Sequence, residues 1–515
     1  MANGVLRSLT APPEVNPLNK KARTIPVLNP FNIYGRIFFF SWLGYMVSFL
    51  SWCAFPPLMT VTIRKDLNMS ESDVANSNIM ALLASFLVRA LSGRLCDQFG
   101  PRWVFIGTMI AGSVPTAMVG LVTNPKGLNA VRFFVGILGA TFVPCQVWCT
   151  GVFDESIVGS ANALAAGWGN AGGGITYFVM PAIFNSLVKN RGLAAHKAWR
   201  LAYLVPFGVI VSVAIGMALT CDDTPTGKWS ERYKTAAQCQ IGKDAEDVVV
   251  EGHSGVQDLK SSPASNVSAP TLSESERVDL RFTGTPNVSE AQGQEANLGD
   301  VTGEIIVAPT SRKSLDVVLS KESLALAGPY ACSFGSQLAI NSMLGSYYFI
   351  KFPELGQTVS SDWAAMMGFL NLFCRPLGGY ISDVVYQKTQ SVWAKKFWLI
   401  FLGLSFSLIL TALGLSDPED KSTVFGLIAG YAFFMEACNG ANFAVVPHVH
   451  PYANGIVSGL VGAFGNLGGI IFATIFRSNG ENYNQAMWVI GVISIAVNLV
   501  VCWIPPVPRG KVGWR

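Results

Sequence analysis

Charge is what this 515-residue sequence has least of. Only 13% of its residues are Asp, Glu, Lys or Arg, against roughly 25% in a soluble domain. That deficit excludes a soluble globular protein, because most of the surface must face something other than water. Histidine is scarce too, with 4 residues. His448 and His450 form a His-Val-His in what reads as a loop, with no Cys, Asp or Glu cluster beside them, so no metal site is expected. The 10 Cys include no CxxC and no paired framework, which excludes a disulfide scaffold or zinc ribbon. Cys53, Cys145, Cys149, Cys374 and Cys438 lie in apolar stretches and read as small hydrophobes. No nucleophile–base arrangement or acidic metal motif stands in the apolar stretches, so neither an enzyme nor a cofactor is expected. The net charge of +4 is spread over loops, without the basic face that nucleic acid requires. The opening residues are polar and carry Pro12, Pro13, Pro17, Pro26 and Pro30, so they do not read as a cleavable signal peptide.

What is abundant is apolar sequence: 50% hydrophobic residues and a mean hydropathy of +0.40. Many stretches reach the roughly 20 residues needed to cross a hydrocarbon core. Spans read near 38–60, 77–97, 103–123, 131–153, 159–186 and 200–220, then near 322–350, 362–384, 395–416, 423–447, 453–476 and 485–505. The expectation is an all-α polytopic membrane protein of twelve helices in two pseudo-symmetric six-helix bundles. The segments are 1–37, an N-terminal segment; 38–220, the first bundle; 221–321, a central loop; 322–505, the second bundle; and 506–515, a tail. The central stretch is rich in Ser, Glu, Asp, Gly and Thr and poor in aromatics, so it reads as mostly disordered. Positive charge in short loops sets orientation. Arg7, Lys20, Lys21, Arg23 and Arg36, then Arg94 and Arg102, then Lys388, Lys395 and Lys396, then Arg509, Lys511 and Arg515 fall on one side. That places both termini and the central loop in the cytoplasm. The loop with Lys189, Arg191, Lys197 and Arg200 disagrees. Asn68 heads a glycosylation sequon in an outward loop; Asn266 and Asn287 head sequons placed inside.

The two halves repeat. Arg89, Gly93 and Asp97 share the spacing Arg-x3-Gly-x3-Asp with Arg375, Gly379 and Asp383. Tyr45, Ser48 and Phe49 match Tyr330, Ser333 and Phe334. Gly139-Ala140-Thr141-Phe142 matches Gly440-Ala441-Asn442-Phe443, and Gly169-Asn170-Ala171-Gly172-Gly173 matches Gly465-Asn466-Leu467-Gly468-Gly469. Four matched pairs in one order indicate an internal duplication, the pattern of secondary transporters that bind substrate at the midplane between the halves.

Arg89 and Arg375 each stand two turns before their Asp, about 11 Å along a helix. An arginine at such depth normally faces a cavity or a partner. As a structural pair each would need a buried carboxylate, and Glu436 is the one at hand. As a functional pair they would grip a small planar oxyanion from both sides, since guanidinium is a planar fork that stays charged. Phe49, Phe142, Phe334 and Phe443, at repeat-equivalent places, are core residues or line that cavity, with Tyr330 and Tyr45 as hydroxyl donors. Asn170 and Asn466 either cross-link helices or donate to the anion. Gly167, Gly169, Gly172 and Gly173, with Gly465, Gly468 and Gly469, permit close helix crossings that can slide; no Lys-Ser/Thr follows to make a phosphate loop. Gly93, Asp97, Gly100 and Arg102 read as a charged latch between spans 2 and 3.

The segment Gly93-x3-Asp97-x2-Gly100-x-Arg102 resembles the loop motif of the major facilitator superfamily. The Gly-rich segments 166–174 and 462–469 resemble the paired signatures of its nitrate/nitrite porter family, and the long central loop is similar to that of fungal high-affinity nitrate transporters. Ala171 stands where Met is commoner. The resemblance implies that Arg89 and Arg375 bind the substrate, aided by Phe49, Phe142, Tyr330, Phe334, Asn170 and Asn466. It implies nitrate import by proton symport across the plasma membrane, with nitrite and chlorate as further anions. Alternatives are nitrate/nitrite exchange, or a nitrate sensor that signals through the central loop.

Overall fold

The computed structural model describes residues 10–17, 19–231, 311–480 and 482–508. The chain divides into one unit of Met1–Arg232 with Val307–Arg515 and a second of Tyr233–Ile306. The second lies wholly outside the described residues, and with it most of the stretch read as disordered and the sequons at Asn266 and Asn287.

Twelve long helices stand among the described residues. They are α1 (Ile33–Leu58), α2 (Glu71–Phe99), α3 (Pro101–Leu121), α4 (Pro125–Val152), α5 (Val158–Lys189) and α6 (Ala195–Thr220). The second set is α7 (Lys321–Lys351), α8 in two pieces (Gly356–Leu370 and Cys374–Thr389), α9 (Val392–Ser416), α10 (Lys421–Val449), α11 (Pro451–Asn479) and α12 (Tyr483–Cys502). Ten are apolar and long enough to qualify as membrane spans by composition and length. The other two are α7, which carries Ser, Gln and Asn along its length, and the interrupted α8. Side-chain caps start many of them: Asn32, Ser70 in a reciprocal box with Asp73, Asn124, Ser320, Asp420 and Asn482 accept from first-turn N–H groups. Each cap satisfies an otherwise orphaned donor.

The irregular places have proline nearby. Pro376 has no N–H to offer the carbonyl four residues back, and α8 breaks just before it, across 371–373. Pro144 does the same in α4, where Gly136–Thr141 tightens to a 3-10 turn. Both irregularities stand beside residues singled out above, Arg375 and Phe142.

The halves pack on glycine. A Cβ on Gly93 of α2 would lie 2.1 Å from the carbonyl oxygen of Gly455 in α11. The repeat-equivalent contact is α8 on α5, where a Cβ on Gly379 would lie 2.6 Å from the Gly159 oxygen. On this side, which bears the ordered N-terminal segment, Asp383 Oδ2 accepts from the N–H and hydroxyl of Ser160 at 2.6 and 2.7 Å. A Cβ on Gly455 would lie 2.5 Å from Asp97 Oδ1. Each Asp thus closes its half on the opposite one. Leu121, Leu219, Phe373 and Trp503 are among the large apolar side chains left exposed, as a lipid-facing surface requires.

Lys395 and Lys396, read as positive charges that follow span 8, are both buried in α9. Lys395 Nζ donates to Asp383 Oδ1 at 3.0 Å and stands 3.0 Å from His448 Nε2. Lys396 donates to the carbonyls of Val501 and Ile504. His448 accordingly belongs to the last turn of α10. The low polarity of the surroundings makes such partners obligatory for a buried ammonium. The start of the central stretch is also ordered. Asp222 and Asp223 pair with Arg36 and Arg102, and Trp229 donates to the carbonyl of Asp97.

Candidate substrate site

Arg89 and Arg375 come from repeat-equivalent turns of α2 and α8, and both are buried, at 1% and 0% exposure. Neither has an ion-pair partner among the described residues. Their guanidinium carbons stand 4.9 and 5.6 Å from the centroid of one ring, Phe142. Phe142 belongs to the first half and Arg375 to the second, so this ring is where the halves meet. Arg89 also lies 5.1 Å from the Phe334 ring.

A cage of rings encloses the pair. Tyr330 and Phe334 stack at 5.2 Å, and Phe142 lies nearly parallel to both at 6.2 and 6.4 Å. Phe443 meets Phe142 and Tyr330 edge-on at 4.8 and 5.0 Å. Tyr45 reaches Phe142 at 5.5 Å and Phe49 at 5.6 Å. Glycine is what lets the Gly-rich helices come so near. A Cβ on Gly169 would lie 2.0 Å from the Tyr45 ring, and one on Gly465 would lie 2.8 Å from the Tyr330 ring. Gly173 faces Phe49 in the same way, while Gly167, Gly172 and Gly468 press on carbonyls of Asn371, Met46 and Ala331. A Cβ on Gly469 would lie 3.3 Å from Leu338 Cδ1 and 3.5 Å from Leu82 Cδ2, ends of flexible side chains.

The two arginines are not equivalent. Arg89 donates from Nε to the Gly139 carbonyl at 2.7 Å and from Nη1 to the Gly462 carbonyl at 3.1 Å, so it ties α2 to α4 and α11. Arg375 donates only from Nη2, to the Tyr330 hydroxyl at 3.1 Å; its Nε and Nη1 are buried without a partner. The amide nitrogens of Asn170 and Asn466 are likewise buried and unpartnered, although Asn170 Oδ1 accepts from Tyr45 at 2.7 Å. Three of these orphan donors stand in or beside the aromatic cage, and the fourth, on Asn466, follows Gly465, which packs on Tyr330 and Phe334. A buried donor left unmade costs about 1–3 kcal/mol, and a small anion with several acceptor oxygens would satisfy them together. The positive charge and flat ring walls favour a planar, weakly hydrated anion.

The latch residues lie elsewhere. Gly100 has φ of +88°, which only glycine adopts without strain. A Cβ there would also lie 3.1 Å from the Trp229 side chain. Arg102 pairs with Asp223 and donates to the Ala218 carbonyl.

The sequence reading missed several groups. Arg132 of α4 is buried over the Phe55 ring at 4.8 Å. It lines a cavity of about 40 Å³ between the halves, together with Trp52, Asn78, Tyr177, Gln337 and Asn341. This cavity lies beyond the cage, away from the Asp97 and Asp383 contacts. Arg132 also follows Asn129 in an otherwise apolar segment, a signal that could have been read. Glu436 forms no ion pair with Arg375; it accepts from Asn371 and Asn439 instead.

The family model of the Major Facilitator Superfamily matches residues 41–473. The chain is 33% identical to "Elsinochrome transporter 1" of Elsinoe fawcettii, over 98% of this chain and 100% of that one. It is 30% identical to "Nitrate transporter 2.1" of Chlamydomonas reinhardtii, over 94% and 77%. Among solved structures it is similar to the proton:xylose symporter XylE bound to 6-bromo-6-deoxy-D-glucose, with a TM-score of 0.62 at 13% identity and coverage of 93% and 97%. With twelve spanning helices, a duplicated half and this match, the chain belongs to the Major Facilitator Superfamily and is a membrane transporter rather than an enzyme.

Proposed function

We propose that this protein imports nitrate with high affinity across the plasma membrane by proton symport, with nitrite and chlorate as further anions. The observation that carries the reading is the buried arginine pair without carboxylate partners, set among orphan donors and rings. Arg89, Arg375, Asn170, Asn466 and Tyr330 hold the anion, and Phe49, Phe142 and Phe334 restrict its size and shape. The Gly-rich crossings, with Gly93, Asp97, Gly100 and Arg102, let the halves rock around it. The name of the Chlamydomonas relative supports nitrate. Both termini and the central stretch are cytoplasmic in this reading. The one contrary loop is partly compensated, because Arg200 pairs with Asp66 at 2.7 Å.

Coupling follows from energetics. An inside-negative potential opposes a monovalent anion by about 2.3 kcal/mol per 100 mV, so uptake needs a cation, and more than one proton per nitrate makes it favourable. The name of the Elsinoe relative favours a second reading, transport of elsinochrome. The close ring contacts around the arginines favour the small anion.

The test is nitrate-evoked current in a heterologous membrane at two external pH values, with Arg375→Ala as control. Inward positive current that grows at acid pH and vanishes in the control is expected. Labelled uptake without current, sustained by internal nitrite, would replace symport by exchange. Absence of both, from protein at the surface, would refute nitrate import and favour a sensor or another solute.

A further inference from the structure

Three carboxylates are buried among the described residues: Glu322, Asp383 and Glu436. Glu322 stands in the first turn of α7 and Asp383 is paired with Lys395. Glu436 is different. It sits near the middle of the 29-residue α10, about 20 Å from either end. Among the described residues no cation forms an ion pair with it, although Arg375 faces it. Asn371 Nδ2 donates to its Oε1 at 2.7 Å and Asn439 Nδ2 to its Oε2 at 3.4 Å.

Its surroundings connect it to the candidate site in one direction and to the cavity in the other. Asn371 lies in the break of α8, one turn before Arg375. A Cβ on Gly440 would lie 2.0 Å from the Arg375 carbonyl oxygen, so the turn after Glu436 is pressed against the turn that carries Arg375. The titratable groups that face Glu436 are Arg375 and Cys374 from α8, Tyr330 from α7 and Tyr431 from its own helix. On the other side, Asn439 Nδ2 is 3.1 Å from Gln337 Oε1, and Gln337 lines the cavity of about 40 Å³. That volume holds about two or three waters.

We infer that Glu436 binds a co-transported proton, delivered from the cavity past Gln337 and Asn439, and that its protonation removes the negative charge that faces Arg375 and so favours the anion there. This rests on the proton-coupled nitrate reading above. As a carboxylate, Glu436 competes with nitrate for the same guanidinium field. A proton from the external solution, relayed through the cavity to one carboxyl oxygen, removes that negative charge, and nitrate then replaces it. Proton and nitrate therefore bind cooperatively, because each makes the other's charge easier to bury. The site carries the same net charge empty with Glu436 ionised as it does loaded with one nitrate and one proton. A protonated carboxyl also needs an acceptor, and Asn371 Oδ1 is buried without a partner; a turn of that amide supplies it.

The experiment uses the full chain in proteoliposomes with labelled nitrate. One arm measures nitrate counterflow without a pH gradient, the other accumulation driven by an acid exterior. Glu436→Gln should keep counterflow and lose the gradient-driven accumulation. Accumulation equal to wild type would overturn the inference. Loss of both fluxes from monodisperse protein would make Glu436 structural and overturn it too. A second measurement needs no variant: adding nitrate to weakly buffered, detergent-solubilised wild type should draw protons from solution, and no uptake overturns the assignment. Wild type without counterflow would sink the nitrate reading itself, and the inference with it.

Discussion

Replacing Arg375 by Lys keeps the positive charge and removes the fork. Nε and Nη1 of Arg375 are both buried and unpartnered, so in the nitrate reading both point to anion oxygens. Lysine's ammonium cannot reproduce that planar pair. Losing one charge-assisted bond costs about 1.5–3 kcal/mol, which is roughly 10- to 100-fold in apparent affinity. Arg89→Lys should behave differently. Nε and Nη1 of Arg89 are engaged with the carbonyls of Gly139 and Gly462, so the change loosens α2 from α4 and α11. The expectation is a large rise in KM for Arg375→Lys. Arg89→Lys should instead show a smaller KM change with a lower maximal rate and a lower melting temperature. Tracer nitrate uptake over graded concentrations, normalised to surface protein, gives the KM values; a fluorescence-detected thermal melt gives stability. An Arg375→Lys variant within about twofold of wild type, or an Arg89→Lys variant with an equal rise in KM, would refute the asymmetry.

Three further outcomes can be checked on the same samples. Asp383→Asn strips the ion pair from buried Lys395, which should cost about 3–5 kcal/mol and lower the melting temperature by several degrees; unchanged melting would show that Lys395 finds another partner. Gly468→Ala sets a methyl 2.0 Å from the Ala331 carbonyl and should destabilise by about 1–3 kcal/mol through forced separation of α7 and α11, read as reduced melting temperature and uptake. Arg132→Gln, in the cavity wall, should slow uptake by a similar factor at low and high ionic strength if direct contact matters, and mainly at low ionic strength if steering matters; an unaltered rate in both would remove any role in anion access.

The fold was legible because its signal is spread over the chain. Apolar length, charge deficit and the matched segments each depend on many residues, so no single ambiguity alters the twelve-helix reading. The two spans with weaker hydropathy, α7 and α8, still read as apolar stretches near 322–350 and 362–384, and Tyr330, Ser333 and Phe334, with Arg375, Gly379 and Asp383, match them to spans 1 and 2. The burial of Lys395 and Lys396 is not legible in the sequence, because position next to a loop says nothing about whether a side chain turns inward. Asp383, which draws Lys395 in, is 12 residues away in sequence and on another helix. His448 likewise reads as a loop residue until α10 is seen to run through it.

The sequence by itself determined the architecture and singled out Arg89 and Arg375, because a charge in an apolar run is costly wherever the chain folds. It could not show that the two arginines differ. That asymmetry depends on which backbone carbonyls approach Arg89, and those belong to α4 and α11. The same holds for Glu436, whose neighbours Asn371, Asn439 and Gln337 come from breaks and turns of three helices. Hydrophobic periodicity records how much of a helix is buried, whereas hydrogen-bond partners are fixed only when close-packed helices bring distant groups within about 3 Å.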